Sequence, residues 1–330
     1  MKRILIIKPS SIGDVLHTFP AVALLRRALN DELRISWVVN DALKGIVELC
    51  PGVDRIVPFP RANMWNASCM AAFFRELRRE KYDVALDFQG LLKSGIVTYF
   101  SGAPLRVGFA HSREGSPFFY NKKVVISDLH THAVDKNLQL AREAFGIGVD
   151  IVSGDVQVAV EKRAHAGNVV AVCFSSRWES KNWPLSFFAD VLRDVASQKP
   201  DVRFVLIGSK DDAGRGSELA QMIATPNVEN LAGRTGFREL AQLLADADAL
   251  FTVDSGPMHL AAACGTPCVA LFGATDPVLT GPYGAPGFHT LVLSDCVKAP
   301  CFKRKCSLGR DCSFPEARAQ SVSGIICHLK

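Results

Sequence analysis

Short apolar runs alternate with amphipathic stretches along the whole chain. The runs that are rich in β-branched residues lie at 3–8, 34–39, 55–59, 82–88, 168–174, 202–208, 228–230, 249–253 and 267–272. Between the first of them we predict one helix that ends at Leu29 and another over 41–50. Strands that alternate with helices are typical of parallel sheets covered on both faces. The pattern predicts an α/β fold with two doubly wound parallel sheets in tandem.

The length of the chain indicates two domains. A chain of 330 residues exceeds the size at which a single hydrophobic core usually stops growing. A polar, small-residue stretch near 150–168, including Ser153-Gly154-Asp155, precedes the first apolar run of the second half, as expected of a linker. We therefore predict an N-terminal domain over 1–160 and a C-terminal domain over 161–330.

Composition narrows the function classes. The chain is 48% hydrophobic and 22% charged, and no apolar run approaches the roughly 18 residues of a membrane span. The apolar run at the N-terminus is broken at Lys8, too early for a signal peptide, so we expect a cytoplasmic protein. A net charge of +5 suits anionic ligands or an anionic membrane surface but is small for a nucleic-acid-binding protein. We expect no nucleic-acid partner.

The loop after the first strand carries a candidate base. In an open parallel sheet this loop lies at the ligand-binding edge, and Gly13 allows close approach there. Asp14 is then either a general base that takes a proton from a hydroxyl or a cap of the following helix. His17, one turn later, either orients Asp14 or the acceptor, or packs in the core.

Common nucleotide motifs are absent from the sequence. The first loop has one glycine where the dinucleotide fingerprint needs three, and no P-loop motif occurs anywhere in the chain. Both observations argue against a dehydrogenase and against a P-loop nucleotidase.

A second strand-to-helix junction, around residue 254, is a candidate anion site. The amides of a helix start attract phosphate, so Ser255 and Gly256 are candidates to bind a diphosphate. Asp254 would repel that group, and we expect it to cap the helix or to bind a sugar hydroxyl. His259 either donates to a phosphate oxygen or is satisfied within the core.

Two other loops of the second half carry polar candidates. Ser175, Ser176 and Lys181 follow a strand and resemble a phosphate clamp, although a solvated loop anchored by Trp183 is the alternative. Asp212 follows the next strand and is a candidate to hold ribose hydroxyls. Taken alone, that last signal is weak.

Five motifs together identify a family resemblance. They are Lys8 to Thr18, Asp87 to Ser94, Lys181 to Pro184, Asp254 to His259 and Phe272 to Pro277. In this order they resemble the ADP-heptose:lipopolysaccharide heptosyltransferases of glycosyltransferase family nine. The resemblance spans nearly the whole chain, and the ordered set is far more specific than any single motif.

The resemblance implies a GT-B fold, in which two Rossmann-like domains face a central cleft. The N-terminal domain would bind the acceptor and the C-terminal domain the nucleotide sugar. It also implies an inverting transfer without metal or other cofactor, with Asp14 as the base. By the same carry-over, the ADP-sugar would be bound by Ser175, Ser176, Lys181, Asp212, Asp254, Ser255, Gly256 and His259. A nucleotide-sugar epimerase of the same architecture and a non-catalytic sugar-nucleotide or lipid-binding protein are the alternatives.

Segments 112–114, 119–123 and 132–135 look most like the first-heptose enzyme, which acts on Kdo-lipid A. The resemblance thus implies a lipid-linked anionic saccharide acceptor and transient contact with the cytoplasmic face of the inner membrane. The candidate acceptor-binding residues are Ser10, Ser11, Gly13, His17, Arg61, Lys93, Arg113, Lys122 and Lys123. Solvated surface positions are the alternative for each basic residue.

A cysteine-rich segment departs from that subfamily. Cys296, Cys301, Cys306 and Cys312 resemble a segment of second-heptose enzymes, which leaves the first- and second-heptose assignments open. Zinc bound by four thiolates is an alternative for these residues, but the spacing lacks the short C-x2-C pair of most structural sites. A disulfide is disfavoured in the cytosol.

Overall fold

The computed structural model describes residues 1–29, 32–128, 130–148, 158–165, 167–285, 287–309, 312 and 314–330. The chain divides into two compact units, Met1–Ala159 (unit 1) and Val160–Lys330 (unit 2). The division falls one residue from the expected boundary. Ser153, Gly154 and Asp155, on which the expected linker partly rested, lie outside the described residues.

Unit 1 contains a six-stranded parallel sheet in the order β3-β2-β1-β4-β5-β6. Its strands are β1 (Lys2–Ile7), β2 (Leu33–Asn40), β3 (Arg55–Phe59), β4 (Val84–Asp87), β5 (Leu105–Phe109) and β6 (Lys122–Val124). Ile4 to Ile7 of β1 are fully buried, because helices cover both faces of a central parallel strand. This explains why the strand reads as a continuous apolar run.

The helices described in unit 1 range from four to thirteen residues. They are α1 (Ile12–Leu16), α2 (Phe19–Leu29), α3 (Lys44–Val47), α4 (Ala67–Arg78), α5 (Leu92–Phe100) and α6 (Ala133–Phe145), with 3-10 turns at Asp41–Leu43, Arg61–Asn63 and Ser116–Phe119. The prediction of a single helix that ends at Leu29 was wrong, because α1 and α2 are separate helices. Pro20 lacks the N–H that a continuous helix needs and is tolerated in the first turn of α2.

Unit 2 repeats the plan, with strand order β12-β11-β10-β7-β8-β9. Its strands are β7 (Val169–Cys173), β8 (Arg203–Ile207), β9 (Val228–Asn230), β10 (Ala249–Val253), β11 (Cys268–Phe272) and β12 (Thr290–Leu293). Its helices are α7 (Leu185–Gln198), α8 (Ala213–Ile223), α9 (Phe237–Asp246), α10 (Gly256–Ala263), α11 (Pro277–Thr280) and α12 (Pro315–Ile326), with 3-10 turns at Glu179–Lys181 and Lys210–Asp212. Trp183, Phe188, Phe204 and Phe251 form the centre of its core.

The predicted fold class, two doubly wound parallel α/β sheets, is confirmed. All nine predicted strands are present, whereas β5, β6 and β12 were not predicted from the sequence. Two of these three are edge strands, and β6 has only three residues, two of them lysines. Within the described residues, no helix is long and apolar enough to cross a membrane.

Candidate functional site

Each sheet reverses its strand order once. In unit 1 the reversal lies between β1 and β4, and in unit 2 it lies between β7 and β10. Because the loops that follow the two strands diverge there, a crevice forms at the carboxyl edge where ligands bind in doubly wound folds. The loops after β1 and after β10 hold the two strongest sequence candidates, Asp14 and Ser255.

Asp14 is the third residue of α1, and its carboxylate is held from two sides. Oδ2 accepts hydrogen bonds from the Ser11 amide at 2.9 Å and the Ser11 hydroxyl at 2.7 Å. Oδ1 lies 3.5 Å from the Lys8 ammonium. Asp14 therefore stabilises the start of α1 from within the helix, while Ser11 occupies the N-cap position. Its side chain is 45% exposed, so a substrate hydroxyl can still reach it.

The surroundings of Asp14 favour its charged form. Partial burial alone would raise the pKa of this carboxyl, but the Lys8 ammonium and the hydrogen bonds from Ser11 outweigh that effect, and the pKa is lowered. A carboxylate in this setting is ionised at neutral pH. It is ready to accept a proton without first losing one.

Sequence reasoning did not assign a role to Lys8 or to Gln89, although both stand in the quoted motifs. Lys8 is 6% exposed, and its ammonium donates to the Phe88 carbonyl at 2.9 Å. The Gln89 side-chain oxygen accepts from the Ser10 amide at 3.3 Å. These bonds tie the loop after β4 to the loop after β1, which fixes the direction from which Lys8 approaches Asp14.

Asp87, at the end of β4, organises the same edge without facing solvent. It is fully buried, and it accepts hydrogen bonds from the Tyr120 hydroxyl at 2.6 Å and from the Gln89 and Gly90 amides at 2.8 and 3.1 Å. Burial raises the pKa of this carboxyl, and its donors oppose that effect. Asp87 therefore positions the loop that carries Gln89 and does not reach a ligand itself.

The remaining acceptor-binding candidates differ in how far their side chains are exposed to solvent. Gly13 is buried, and His17 is 5% exposed with its ring 5.3 Å from that of His132. Four of the five basic candidates are exposed: Arg61, Lys93, Arg113 and Lys123. Lys122 instead donates to the Glu143 carbonyl near the end of α6. His17 and Lys122 thus have clear packing and helix-capping partners within unit 1.

In unit 2, Lys181 pairs with Asp254. The Lys181 ammonium lies 2.6 Å from Asp254 Oδ2 and 4.8 Å from the centre of the Trp178 ring. Asp254 is buried and also accepts a hydrogen bond from the Thr275 hydroxyl. Because Lys181 neutralises Asp254, the negative charge that would repel a diphosphate beside α10 is cancelled.

The start of α10 has the features of an anion site. Ser255 is its N-cap, Gly256 its first residue, and Pro257 follows in the first turn. The Ser255 hydroxyl lies 3.2 Å from the Thr252 hydroxyl and 3.4 Å from Cys173 Sγ, which fixes it between β10 and β7. His259, on the next turn, is 8% exposed. The free amides of this turn, with a partial positive charge, suit phosphate oxygens.

Asp212 links the loops after β7 and β8. Its Oδ2 accepts from the Ser209 amide at 2.8 Å and the Ser209 hydroxyl at 2.6 Å, and the Ser175 hydroxyl also donates to it. Burial would raise the pKa of Asp212, but these hydrogen bonds and the nearby Arg215 lower it. The Ser176 amide, in the same loop, donates to the Asn182 side chain at 2.6 Å. The structure therefore brings Ser175, Asp212 and Ser255 to one edge of unit 2.

The four cysteines of the C-terminal segment surround one small pocket. Its lining residues are Ser180, Gly273, Cys296, Lys298, Ala299, Cys301, Cys306, Ser307, Leu308 and Cys312. None of the four cysteines is disulfide-bonded. Across the part of the chain that the structure describes, no three His, Cys, Asp or Glu side chains are arranged to hold a metal ion.

Comparison with known proteins confirms the resemblance inferred from the motifs. The model of glycosyltransferase family 9 (heptosyltransferase) matches residues 70–311. Lipopolysaccharide heptosyltransferase 1 of Pseudomonas aeruginosa is 31% identical over 320 residues, covering 92% of this chain and 87% of that protein.

Two solved structures of the E. coli heptosyltransferase WaaC are also similar. The complex with ADP is 27% identical, with a TM-score of 0.77 over 88% of this chain and 93% of that one. The complex with ADP-2-deoxy-2-fluoro heptose is 26% identical, with a TM-score of 0.75 over 88% and 92%. The family match therefore agrees with the fold and with the order of the motifs.

Proposed function

Because this chain belongs to glycosyltransferase family 9, we propose that it transfers a heptose from ADP-heptose to the inner core of lipopolysaccharide. Asp14 acts as the general base, unit 1 binds the acceptor, and unit 2 binds the donor. The observation that carries the proposal is the half-exposed, ionised Asp14 carboxylate, held beside Lys8 at the strand-order reversal of unit 1.

On the acceptor side, Asp14 removes the proton of the attacking hydroxyl. Ser11 holds Oδ2, so Oδ1, which faces Lys8, takes the proton. The acceptor oxygen forms a bond to the anomeric carbon of the heptose while the bond from that carbon to the diphosphate breaks. Attack opposite the leaving group inverts the anomeric centre, and ADP departs with the bonding electrons. No metal or redox cofactor is needed for this balance.

On the donor side, unit 2 supports the departing diphosphate. Ser255 and Gly256 offer the helix-start amides, and His259 lies one turn further. Lys181 keeps Asp254 neutralised and adds donors from its ammonium group. Fixed donors aimed at a developing negative charge commonly contribute more to such catalysis than any other single effect. Asp212, with Ser175, Ser176 and their loop, binds the ribose end of the nucleotide.

The acceptor is Kdo-lipid A, the substrate implied by first-heptose enzymes. Support comes from the relative named heptosyltransferase 1, which matches over most of both chains. The exposed Arg61, Lys93, Arg113 and Lys123 would bind its acidic groups. Such an acceptor is anchored in a lipid bilayer, so we also propose that the protein works in the cytoplasm in transient contact with the inner membrane.

Replacing Asp14 by Asn tests the proposal. Turnover with ADP-heptose and Kdo-lipid A should fall by at least about 10²-fold, since general-base catalysis contributes about that much, while ADP affinity stays near that of the wild type. Asp41→Asn, a change of another exposed aspartate in unit 1, is the matched control. Wild-type turnover by Asp14→Asn would refute the base assignment.

The same assay separates the alternatives. Incubation with ADP-heptose and no acceptor should leave the sugar unchanged, whereas a new stereoisomer would identify an epimerase. Release of ADP that requires the acceptor would exclude a protein that only binds.

A further inference from the structure

Two aromatic side chains of unit 1 stand almost entirely in solvent. Trp65 is 89% exposed and Phe118 is 90% exposed. Large aromatic side chains are normally buried for most of their area, and Trp in particular favours positions where one part of the ring is in an apolar phase. The exposure of both rings calls for a partner that covers them.

Both aromatic residues belong to segments that contact α5. Met64, which precedes Trp65, contacts Lys93 of α5 through a 3.4 Å approach of its sulfur to the ammonium. Phe118 belongs to the 3-10 turn that packs on α5, and the loop before that turn is fixed by a 3.2 Å hydrogen bond from the Leu92 amide to the Glu114 carboxylate. The two rings therefore belong to one surface centred on this helix.

Apolar side chains are also exposed on α5 itself. Leu92, Tyr99 and Phe100 are 42%, 52% and 40% exposed, at the spacing of two helical turns. The Phe100 ring lies 5.1 Å from that of Phe74 on α4. We call the five exposed side chains together the α5 surface: Trp65, Leu92, Tyr99, Phe100 and Phe118.

Positive charge is concentrated in the same segments. Residues 61–80 and 92–123 contain nine Lys or Arg and three Glu, a net charge of +6, whereas the whole chain has +5. The remainder of the chain is therefore close to neutral. Arg106 lies 5.5 Å from the Tyr99 ring and Arg78 lies 5.7 Å from the Phe100 ring, so two of the exposed rings have an arginine beside them.

We propose that the α5 surface docks on an anionic lipid bilayer, with Trp65 and Phe118 inserted among the headgroups. The proposal deepens the proposed function, because it names the surface by which the protein reaches a lipid-linked acceptor. Aromatic side chains among Lys and Arg are typical of peripheral membrane contacts, in which rings enter the interface and cations bind lipid phosphates. Protein interfaces are instead depleted of lysine relative to the rest of the surface, whereas Lys93 and Lys123 are exposed in these segments. The excess of positive charge, with its exposed lysines, therefore favours a bilayer over a second protein.

Sedimentation with vesicles tests this proposal on the full-length chain. The probes are vesicles of phosphatidylcholine alone and vesicles that also contain phosphatidylglycerol at about one lipid in three, an anionic content that gives the bilayer a negative surface potential. The variants are Trp65→Ala/Phe118→Ala and the matched control Val297→Ser, which changes a side chain in unit 2 that is 89% exposed. Circular dichroism and thermal unfolding show whether each variant is folded.

The wild type and the control should bind the anionic vesicles, more weakly at high salt, and the double variant should bind at least about tenfold more weakly. On binding, tryptophan emission of the wild type should shift to shorter wavelength. Equal binding by the double variant, or no preference for anionic vesicles, would overturn the proposal. So would a concentration-dependent dimer that the double substitution abolishes, since a second copy would then cover the surface.

Heptose transfer to a deacylated, water-soluble acceptor separates this result from the proposed function. If transfer persists while vesicle binding is absent, the membrane proposal alone is wrong. If vesicle binding persists while no heptose is transferred, the membrane surface stands and the proposed reaction is wrong.

Discussion

The ion pair of Lys8 and Asp14 makes a sharp prediction about pH. Their charged groups are 3.5 Å apart, a distance at which Coulomb's law gives about 1 kcal/mol in water and about 5 kcal/mol at an effective dielectric constant of about 20. Lys8 is buried, but the Asp14 side chain is 45% exposed, so solvent screens the pair and the lower part of that range applies. We take about 1–2 kcal/mol, which is roughly a factor of ten in the ionisation equilibrium of Asp14.

Lys8→Met should therefore shift the acid limb of the activity profile to higher pH. In the wild type the pKa of Asp14 is lowered, so the midpoint of the acid limb should lie below the ordinary aspartate value of about 3.9. Without Lys8, partial burial of Asp14 acts unopposed by the ammonium, and its pKa rises. With a shift of about one pH unit, the ratio of variant to wild-type kcat/KM should begin to fall at about pH 5 and should approach a tenfold decrease only at a pH below both pKa values.

The same pair has a defined effect on stability. A lowered folded-state pKa stabilises the protein above the unfolded value of about 3.9, and this contribution is lost as the pH falls through the folded value.

The control for the activity profile is Lys44→Met, which removes an exposed lysine of unit 1 that pairs with Glu48. If Lys8→Met and the wild type give parallel profiles of kcat/KM from about pH 4 to about pH 9, Lys8 does not set the protonation of Asp14.

Two further substitutions test unit 2 and the packing of unit 1. Lys181→Met leaves the buried Asp254 carboxylate without its cation. Calorimetry should show at least about tenfold weaker ADP binding, and the free energy of unfolding should fall by about 3 kcal/mol. Unchanged ADP affinity would contradict the assigned role of the pair. Gly108→Ala would place a methyl group 2.3 Å from the Tyr120 ring, so its melting temperature should fall with a loss of about 1–3 kcal/mol. Gly214→Ala, where a methyl group meets nothing within 4 Å, is the control, and equal melting temperatures for the two variants would refute the packing argument.

Sequence patterns predicted the features that depend on residues close together along the chain. The buried strands appear as apolar runs, and the loop that carries Asp14 follows from its place after β1. Strand β6 was missed because Lys122 and Lys123 give its three residues no apolar signal, and it is held by pairing with β5. The break between α1 and α2 was readable in principle, since Pro20 marks it.

Partners distant in sequence could not be predicted. Asp87 and Tyr120 are 33 residues apart and meet across β5, where Gly108 has no side chain to keep the Tyr120 ring from Asp87. The pairing of Lys181 with Asp254 depends in the same way on β7 and β10 being neighbours in the sheet. The spacing suggested that Lys181 meets phosphate, but gave no indication that it neutralises a buried carboxylate. Ion pairs of this kind depend on which strands are neighbours in the sheet, and short sequence motifs carry no information about strand order.

Each unit thus places a lysine–carboxylate pair at its strand-order reversal, and exposure distinguishes the two. The Asp14 side chain is 45% exposed, whereas that of Asp254 is 5% exposed. A base must come within hydrogen-bond reach of a substrate hydroxyl, so Asp14 meets that requirement and Asp254 does not. Asp254, which contacts Lys181 and Thr275, is suited to holding the Lys181 ammonium in place beside α10. Substitution of Asp14 by Asn should therefore impair turnover, and the same substitution at Asp254 should impair ADP affinity.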